Sequence, residues 1–375
     1  MINEERVLNE FLEMIQIRCS TLQEREIADL LKGKLAALGM DVTEDNVGEK
    51  LGGTAGNVYG YLPGNVQGVP RVLLSAHMDC VEPCSCIKPV IENGIIKSSG
   101  DTILGSDDKA GIVPILEALR VVKEQNLPHG DVQVVFTVAE EGGVNGSKNM
   151  DPALLKADLG FILDSSGAPG KIITMAPGQN KIKVVVHGKT AHAGLAPEEG
   201  INAIVLAGKA LAEIKEGRID EETTANVGII KGGQATNIVP DRVEITCEAR
   251  SRNTAKMEAQ TKLMCETFEK IVTANGGKVD ITVSKAYDPY VHAEDALVLA
   301  VAKEAAESVD IAPKFEGTGG GSDANFFNNY GVPSAVLGVG MSKVHTNEEF
   351  IKEQDLYKMS EFMVAILSKI AGMKK

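Results

Sequence analysis

The segment RVLLSAHMD, residues 71–79, is a continuous apolar run that ends in His77 and Asp79. A run without polar alternation is typical of a strand that is buried on both faces of a parallel sheet. Because His77 and Asp79 are two residues apart on an extended chain, their side chains leave it on the same side. A helix is expected from Asp108 to Gln125. Strands of this kind interleaved with helices predict an α/β fold whose sheet is largely parallel and covered on both faces.

Two further apolar runs end in acidic residues. Residues 132–139 lead into Glu140 and Glu141, and residues 159–163 lead into Asp164. In open α/β sheets, ligands bind beyond the carboxyl ends of the strands. The polar residues after these runs are therefore expected to meet at one edge of the sheet, where they form a candidate site.

The composition is that of an ordinary globular protein. The chain has 375 residues, which suits two domains, and 43% of them are apolar and 24% charged. The net charge of −14 argues against a nucleic-acid partner, because such a partner needs a basic surface. No apolar run approaches the roughly 20 residues that cross a bilayer, and the N-terminus lacks the basic-then-apolar order of a signal peptide. The sequence therefore predicts a cytoplasmic protein with no membrane partner.

The pattern of elements changes in the middle of the chain. In order, the pattern predicts strand 181–187, helix 199–215, strand 224–231, strand 242–250, helix 253–275 and strand 278–284. This β-α-β-β-α-β order is that of a ferredoxin-like domain. We therefore expect a catalytic domain, residues 1–179 and 287–375, interrupted by an inserted domain, residues 180–286. The edge strands of the inserted domain could pair across a two-fold axis, so a homodimer through this domain is expected.

The polar residues at the strand ends are metal ligands by type. Imidazole and carboxylate groups together suit zinc or cobalt, with manganese as an alternative. An adjacent pair such as Glu140 and Glu141 can hold a metal with one carboxylate and move a proton with the other. Each feature alone has an ordinary interpretation: a polar strand end, a solvated turn or, for Asp107, a helix cap. Only their joint occurrence favours a hydrolytic metal site.

Six motifs make the chain similar to a known family. They are SAHMD (75–79), LGSDDKAG (104–111), EEGG (140–143), GKTAHAG (188–194), GGSDA (320–324) and VHTNE (344–348). In this combination and order they resemble the di-zinc metallopeptidase family that contains peptidase T, carboxypeptidase G, aminoacylase and succinyl-diaminopimelate desuccinylase, and the peptidase T branch in particular. The resemblance covers nearly the whole chain. It implies a three-layer α/β catalytic domain with an inserted ferredoxin-like α+β domain that serves as a lid or dimerisation domain.

The resemblance also implies a ligand set for two divalent metal ions, with zinc expected and cobalt or manganese as alternatives. Asp107 would bridge the two ions. His77 and Asp164 would complete one site, and Glu141 and His345 would complete the other. The ions would hold and acidify a water molecule.

Two more residues receive roles from the resemblance. Asp79 would orient or polarise His77, and Glu140 would act as general base and then as general acid. Asp107, not Asp108, is chosen as the bridging ligand, because family members show aspartate, a variable residue and then lysine. Asp108 is then interpreted as a first-turn acid at a helix N-terminus.

Three residues of the inserted domain are candidate substrate contacts. His192 matches the family's donor to the developing oxyanion, and it would act in its own or in the partner subunit. Asn237 lies in a segment that contacts substrate in relatives. Arg250 is a candidate for the substrate carboxylate, which a forked guanidinium suits. A surface histidine and an exposed strand-end arginine are the ordinary alternatives.

The function expected from these observations is that of a metal-dependent exopeptidase acting on small peptides, of the aminotripeptidase type. A di-zinc N-acyl amino acid deacylase, amidohydrolase or carboxypeptidase of the same family is the alternative. The chain departs from tripeptidases in being shorter and in the sequence CVEPC that follows Asp79. Cys80, Cys84 and Cys86 are expected to be free thiols, with a third metal site as the weaker interpretation. A nucleotide-binding function is disfavoured, because no G-x-G-x-x-G motif occurs.

Overall fold

The computed structural model describes residues 1–373, which form two compact units. Unit 1 comprises Met1–Thr174, His292–Gly317 and the chain from Ser322 onward, and unit 2 comprises Met175–Val291 and Thr318–Gly321. Unit 1 is therefore discontinuous in sequence. No helix among the described residues has both the length and the apolar character needed to span a lipid bilayer.

Unit 1 contains most of the secondary structure. Its helices are α1 (Glu4–Ile15), α2 (Arg25–Ala37), α3 (Val47–Leu51), α4 (Ser106–Glu124), α5 (Asn145–Asn149), α8 (Leu297–Ser308), α9 (Asp323–Asn329) and α10 (Glu353–Ala371). Its strands are β1 (Asp41–Glu44), β2 (Val58–Leu62), β3 (Val72–His77), β4 (Pro89–Glu92), β5 (Ile95–Ser98), β6 (Val132–Thr137), β7 (Leu159–Ser165), β8 (Lys171–Ala176, whose last two residues fall in unit 2), β15 (Lys314–Gly317), β16 (Ser334–Gly338) and β17 (Phe350–Lys352). A 3₁₀ turn covers Pro152–Leu154.

Within unit 1, the main sheet has the strand order β1-β2-β6-β3-β7-β16-β8, and β15 also pairs with β8. Every residue of β3 and β6 is buried, which requires packing on both faces and makes these strands the middle of three layers. The expectation of a largely parallel sheet is right only for the four central strands, β6, β3, β7 and β16. The pairs β1–β2, β2–β6 and β16–β8 are antiparallel, so the sheet is mixed. A separate small sheet has the order β17-β5-β4.

Unit 2 is built around one five-stranded antiparallel sheet. Its elements are β9 (Gly178–His187), α6 (Ala203–Glu213), β10 (Gly217–Arg218), β11 (Thr223–Gly232), β12 (Arg242–Ser251), α7 (Thr254–Ala274), β13 (Lys278–Tyr287) and β14 (Tyr290–Val291). The sheet order is β10-β11-β12-β9-β13, and α6 and α7 pack against it. Apart from the short β10, this is the ferredoxin-like arrangement that the β-α-β-β-α-β order predicts.

Candidate active site

Three neighbouring parallel strands of unit 1 deliver polar residues to one edge of the sheet. β3 lies between β6 and β7, and all three run in the same direction. His77 is the last residue of β3, Glu140 follows β6 by three residues, and Asp164 is the penultimate residue of β7. The carboxyl ends of these strands therefore bring the three side chains to the same place, as expected for a ligand site in an α/β sheet.

Two clusters of ligand-type atoms lie at this edge and share Asp107. One consists of His77, Asp107 and Asp164, and the other of Asp107, Glu141 and His345, with the atoms of each cluster within 4.8 Å of one another. Asp107 Oδ1 lies 3.0 Å from His77 Nε2, whereas Asp107 Oδ2 lies 3.2 Å from His345 Nε2. The two oxygens of one carboxylate thus face two separate clusters.

The remaining distances complete the two clusters. His77 Nε2 lies 3.8 Å from Asp164 Oδ1, and His345 Nε2 lies 2.8 Å from Glu141 Oε1. His77 Nδ1 donates a hydrogen bond to the carbonyl oxygen of Asp79 at 3.0 Å. The tautomer with its proton on Nδ1 would offer the lone pair of Nε2 to a metal ion, which is the form of histidine that binds metals.

The electrostatics of the clusters favour bound cations. Burial raises the pKa of Asp164 well above its usual range, and the nearby carboxylates raise it further. The hydrogen bonds that His345 donates to the carboxylates of Asp107 and Glu141 raise its pKa from 6.5 to about 10. Negative charge is thus concentrated in a small buried volume, where a divalent cation would relieve the repulsion. A shared carboxylate and two imidazole–carboxylate triads fit a pair of zinc, cobalt or manganese ions.

The Asp79 carboxylate connects neighbouring segments of the chain through hydrogen bonds. It accepts hydrogen bonds from Thr21 Oγ1 at 2.8 Å, from Glu140 N at 2.9 Å and from Glu141 N at 3.2 Å. Its Oδ1 also lies 3.5 Å from His77 Nδ1. Asp79 is fully buried, so these contacts fix the turn that carries both glutamates relative to His77.

Glu140 differs from Glu141 in its partners. Within the described part of the chain, the Glu140 carboxylate makes no hydrogen bond or ion pair, whereas Glu141 contacts His345. Burial raises the pKa of Glu140 well above its usual range, and Asp164 raises it further. The structure therefore leaves Glu140 free beside the two clusters.

Asp108 does not behave as an ordinary first-turn acid. Its backbone angles, φ −123° and ψ 37°, are not helical, and its side chain is fully buried. Asp108 Oδ2 accepts a hydrogen bond from His77 N at 3.2 Å, and Oδ1 has no partner among the described residues. Asp108 does lie in the first turn of α4, as expected, but this turn folds inward, so its carboxylate is buried and not exposed to solvent.

Sequence reasoning missed two residues next to these clusters. Glu349 accepts hydrogen bonds from the turn that carries Asp107, and Glu24 accepts one from Ala139 N at 3.1 Å, directly before Glu140. Glu349 follows His345 by four residues, which offered a signal. Glu24 lies near the N-terminus, and nothing in the sequence around it marks its role.

The candidate substrate residues lie in unit 2. His192 forms a β-bridge with Ile238, and Ala193 N donates to the carbonyl of Asn237 at 3.0 Å, so His192 and Asn237 lie on adjacent segments. His192 Nδ1 accepts hydrogen bonds from two backbone N–H groups, Gly194 N and Leu195 N, both at 3.2 Å. The proton of the neutral ring is then on Nε2, which makes exposed His192 a donor.

Arg250 is not a free guanidinium. Its Nε and Nη2 donate to the two oxygens of Glu248 at 2.8 and 3.1 Å, and its Nη1 lies 3.5 Å from the hydroxyl of Tyr287. The guanidinium is half-buried on β12 of unit 2. A substrate carboxylate would therefore compete with Glu248 for this side chain.

Comparison with known proteins identifies the class of protein. The model of a family described as Peptidase family M20/M25/M40 matches residues 73–369. The chain therefore belongs to this peptidase family, and the resemblance that its motifs carry is confirmed.

Two of the solved structures that are similar to this chain are an aminopeptidase PepT and a tripeptidase. Aminopeptidase PepT of Bacillus cereus is 45% identical, with 99% of each chain covered and a TM-score of 0.92. A tripeptidase of Staphylococcus aureus is 41% identical, with 100% of each chain covered and a TM-score of 0.96. Among curated proteins, peptidase T of Escherichia coli is 27% identical over 95% of this chain and 94% of its own length.

Proposed function

We propose that this protein is a metal-dependent aminopeptidase that removes the N-terminal residue of small peptides, with tripeptides as its main substrates. The observation that carries the proposal is Asp107, whose two oxygens face two separate imidazole–carboxylate clusters. The similarity to an aminopeptidase and a tripeptidase over the full chain supports the choice of substrate class. A pair of metal ions would be held by His77, Asp107, Asp164, Glu141 and His345.

The proposed chemistry is hydrolysis of a peptide bond. Two bound cations would supply positive charge that acidifies a water molecule and polarises the peptide carbonyl. Glu140 accepts the proton of the attacking water and returns it to the nitrogen of the departing amine. The Asp79 carboxylate accepts hydrogen bonds from the backbone N–H groups of Glu140 and Glu141, and so keeps both side chains in fixed positions relative to His77.

The substrate contacts are proposed to come from unit 2. His192 donates from Nε2 to the developing oxyanion, and its two backbone partners hold the required tautomer. Asn237 contacts the peptide through its exposed amide, and Arg250 pairs with the terminal carboxylate. We also propose zinc as the native metal, a homodimer formed through residues 180–286, and a cytoplasmic location.

Two glutamate variants test the proposed roles. Glu140→Gln should bind both metal ions with unchanged affinity but lower kcat by at least about 100-fold, because the proton acceptor is lost. Glu141→Gln should instead lose metal. Metal content by atomic emission and kcat from the same preparations measure both effects. Undiminished turnover by Glu140→Gln would overturn the assignment.

One peptide in two forms tests the substrate class. The protein, reconstituted with zinc, cobalt or manganese, is given a tripeptide with a free N-terminus and the same tripeptide with an acetylated N-terminus. Cleavage of the free form alone supports an aminopeptidase. Cleavage of the acetylated form alone would instead identify a deacylase or carboxypeptidase of the same family.

A further inference from the structure

Glu349 is a buried carboxylate outside the metal-ligand set proposed above. Its side chain is 1% exposed, and it forms no ion pair within residues 1–373. It accepts five hydrogen bonds, from Leu104 N at 2.8 Å, Gly105 N at 3.0 Å, Ser106 N at 2.8 Å, Ser106 Oγ at 2.6 Å and Asp107 N at 3.2 Å. A buried carboxylate is costly unless donors replace its water, and here they come from one short turn.

This turn, residues 104–107, includes the first residues of α4 and carries Asp107. Gly105 has a left-handed φ of +73°, and Asp107 has the non-helical angles φ −84° and ψ 102°. The backbone N–H groups at the start of a helix have no partner within the helix, so an outside acceptor is needed to fix them. Glu349 supplies that acceptor to every residue from 104 to 107.

The backbone of Glu349 is held in place by hydrogen bonds on both sides of it in the sequence. Its N–H donates to the carbonyl of Thr346 at 3.1 Å, and the next residue begins β17, which pairs with β5. His345 lies four residues before it. One carboxylate therefore connects the turn that carries Asp107 to the segment that carries His345, and both residues belong to the same cluster of ligand atoms.

We propose that Glu349 is a positioning residue that holds Asp107 in the orientation in which its two oxygens face both clusters. The role requires a carboxylate, because all of its partners are donors and an amide would turn two N–H groups of its own toward them. The inference rests on the proposed function, since it assumes that Asp107 holds metal.

The test compares Glu349→Gln with Glu348→Gln in the full-length protein. Glu348 is the matched control, because it is exposed and its carboxylate, within residues 1–373, pairs only with Lys343, at 2.6 Å. Metal-free protein is titrated with Co²⁺, and the visible absorption of the bound ion is recorded. We expect Glu349→Gln to bind Co²⁺ about 10- to 100-fold more weakly and with an altered spectrum. The control should match the wild type in both.

A milder variant and a ligand variant keep the result interpretable. Ser106→Ala removes one donor to Glu349 and should shift the Co²⁺ spectrum in the same direction, even if Glu349→Gln fails to fold. Wild-type Co²⁺ affinity and spectrum in the folded Glu349→Gln, or in Ser106→Ala if the former does not fold, would overturn the inference. Asp107→Asn separates the two proposals: if it also retains wild-type metal affinity, the proposed metal site fails as well.

Discussion

Several carboxylates near the site are buried without an ion-pair partner among residues 1–373, and Glu24, Asp323 and Glu349 are three of them. Each accepts hydrogen bonds from backbone N–H or hydroxyl groups instead. The Asp323 carboxylate accepts hydrogen bonds from the hydroxyl groups of Thr137 and Ser147, and so connects the end of β6 to α5. Such bonds offset part of the cost of burial and make each carboxylate a fixed connection between chain segments.

Glu24 should make the stability of the metal-free protein depend on pH. Burial, and then the charge of Asp79, raise the pKa of Glu24 from 4.5 to about 7. Its contribution to stability is therefore fully present below pH 4.5 and is lost as the pH rises through 7. Glu24→Gln keeps the acceptor for Leu22 N and Ala139 N and removes the charge. The free energy of unfolding of the variant, relative to that of the wild type, should therefore rise by at most about 3 kcal/mol from pH 4.5 to pH 8.

Urea unfolding of both proteins at the two pH values, with a chelator present, measures this difference. Glu26→Gln is the control, because Glu26 lies in the first turn of α2, two residues after Glu24, and is exposed. Parallel stability curves for the wild type and Glu24→Gln would show that Glu24 does not titrate as expected.

The sequence predicted the chemical groups at the strand ends, but it did not predict which residues from distant segments hold those groups in place. The members of both clusters could be selected because each of them follows an apolar run or lies in one of the six motifs. Glu24 and Glu349 could not be selected in this way, because glutamate is rarely buried and their partners are far away in sequence. Glu349 contacts residues more than 240 positions earlier, and only the folded chain brings them together.

At the scale of elements, apolar patterning predicted where strands and helices lie better than how they pair. Patterning reports burial, but it does not report strand direction, which is why the antiparallel outer pairs were missed. Helix α6 begins at Ala203 and not at 199, because Pro197–Glu199 forms a separate 3₁₀ turn and Asn202 caps the helix through Val205 N. Caps of this kind fix a boundary more firmly than apolar spacing does.

The contact between α4 and β7 is close enough to predict the effect of one methyl group. A Cβ at Gly111 would lie 2.2 Å from Leu163 O and 2.6 Å from Asp108 Oδ1, so α4 and β7 would have to separate. Gly111→Ala should cost about 1–3 kcal/mol of stability and weaken metal binding, because Asp164 follows Leu163. Thermal unfolding and Co²⁺ titration measure the two effects.

Gly33 provides the matched control for this prediction. It lies in α2 and is exposed, and a Cβ at this position would meet no neighbouring side chain or segment within 4 Å. Gly33→Ala should therefore raise stability by up to about 1 kcal/mol, since alanine favours a helix more than glycine does. Equal changes in stability for the two substitutions would mean that the close approach of α4 to β7 does not restrict the size of the side chain at position 111.

At the scale of the whole molecule, the proposed metal ligands are confined to one unit. His77, Asp107, Glu141, Asp164 and His345 all belong to unit 1. Unit 2 has an apolar core of its own, built from residues of its sheet together with α6 and α7. Metal binding should therefore contribute to the stability of unit 1 and leave the core of unit 2 as an internal reference.

Removing the metal ions should consequently change hydrogen exchange in one unit only. A ligand present at 100 times its Kd stabilises the state that binds it by about 2.7 kcal/mol, which corresponds to about 100-fold slower exchange of amides that open with that state. With a chelator added, we expect this protection to be lost in β3, β6 and β7, because Asp107, Asp164 and Glu141 then repel one another without a cation between them. Amides of β9 and β12 should exchange as before. Mass spectrometry of peptides from the intact protein reads both units in the same sample, and equal acceleration in β9 and β12 would show that metal binding supports the chain as one cooperative body.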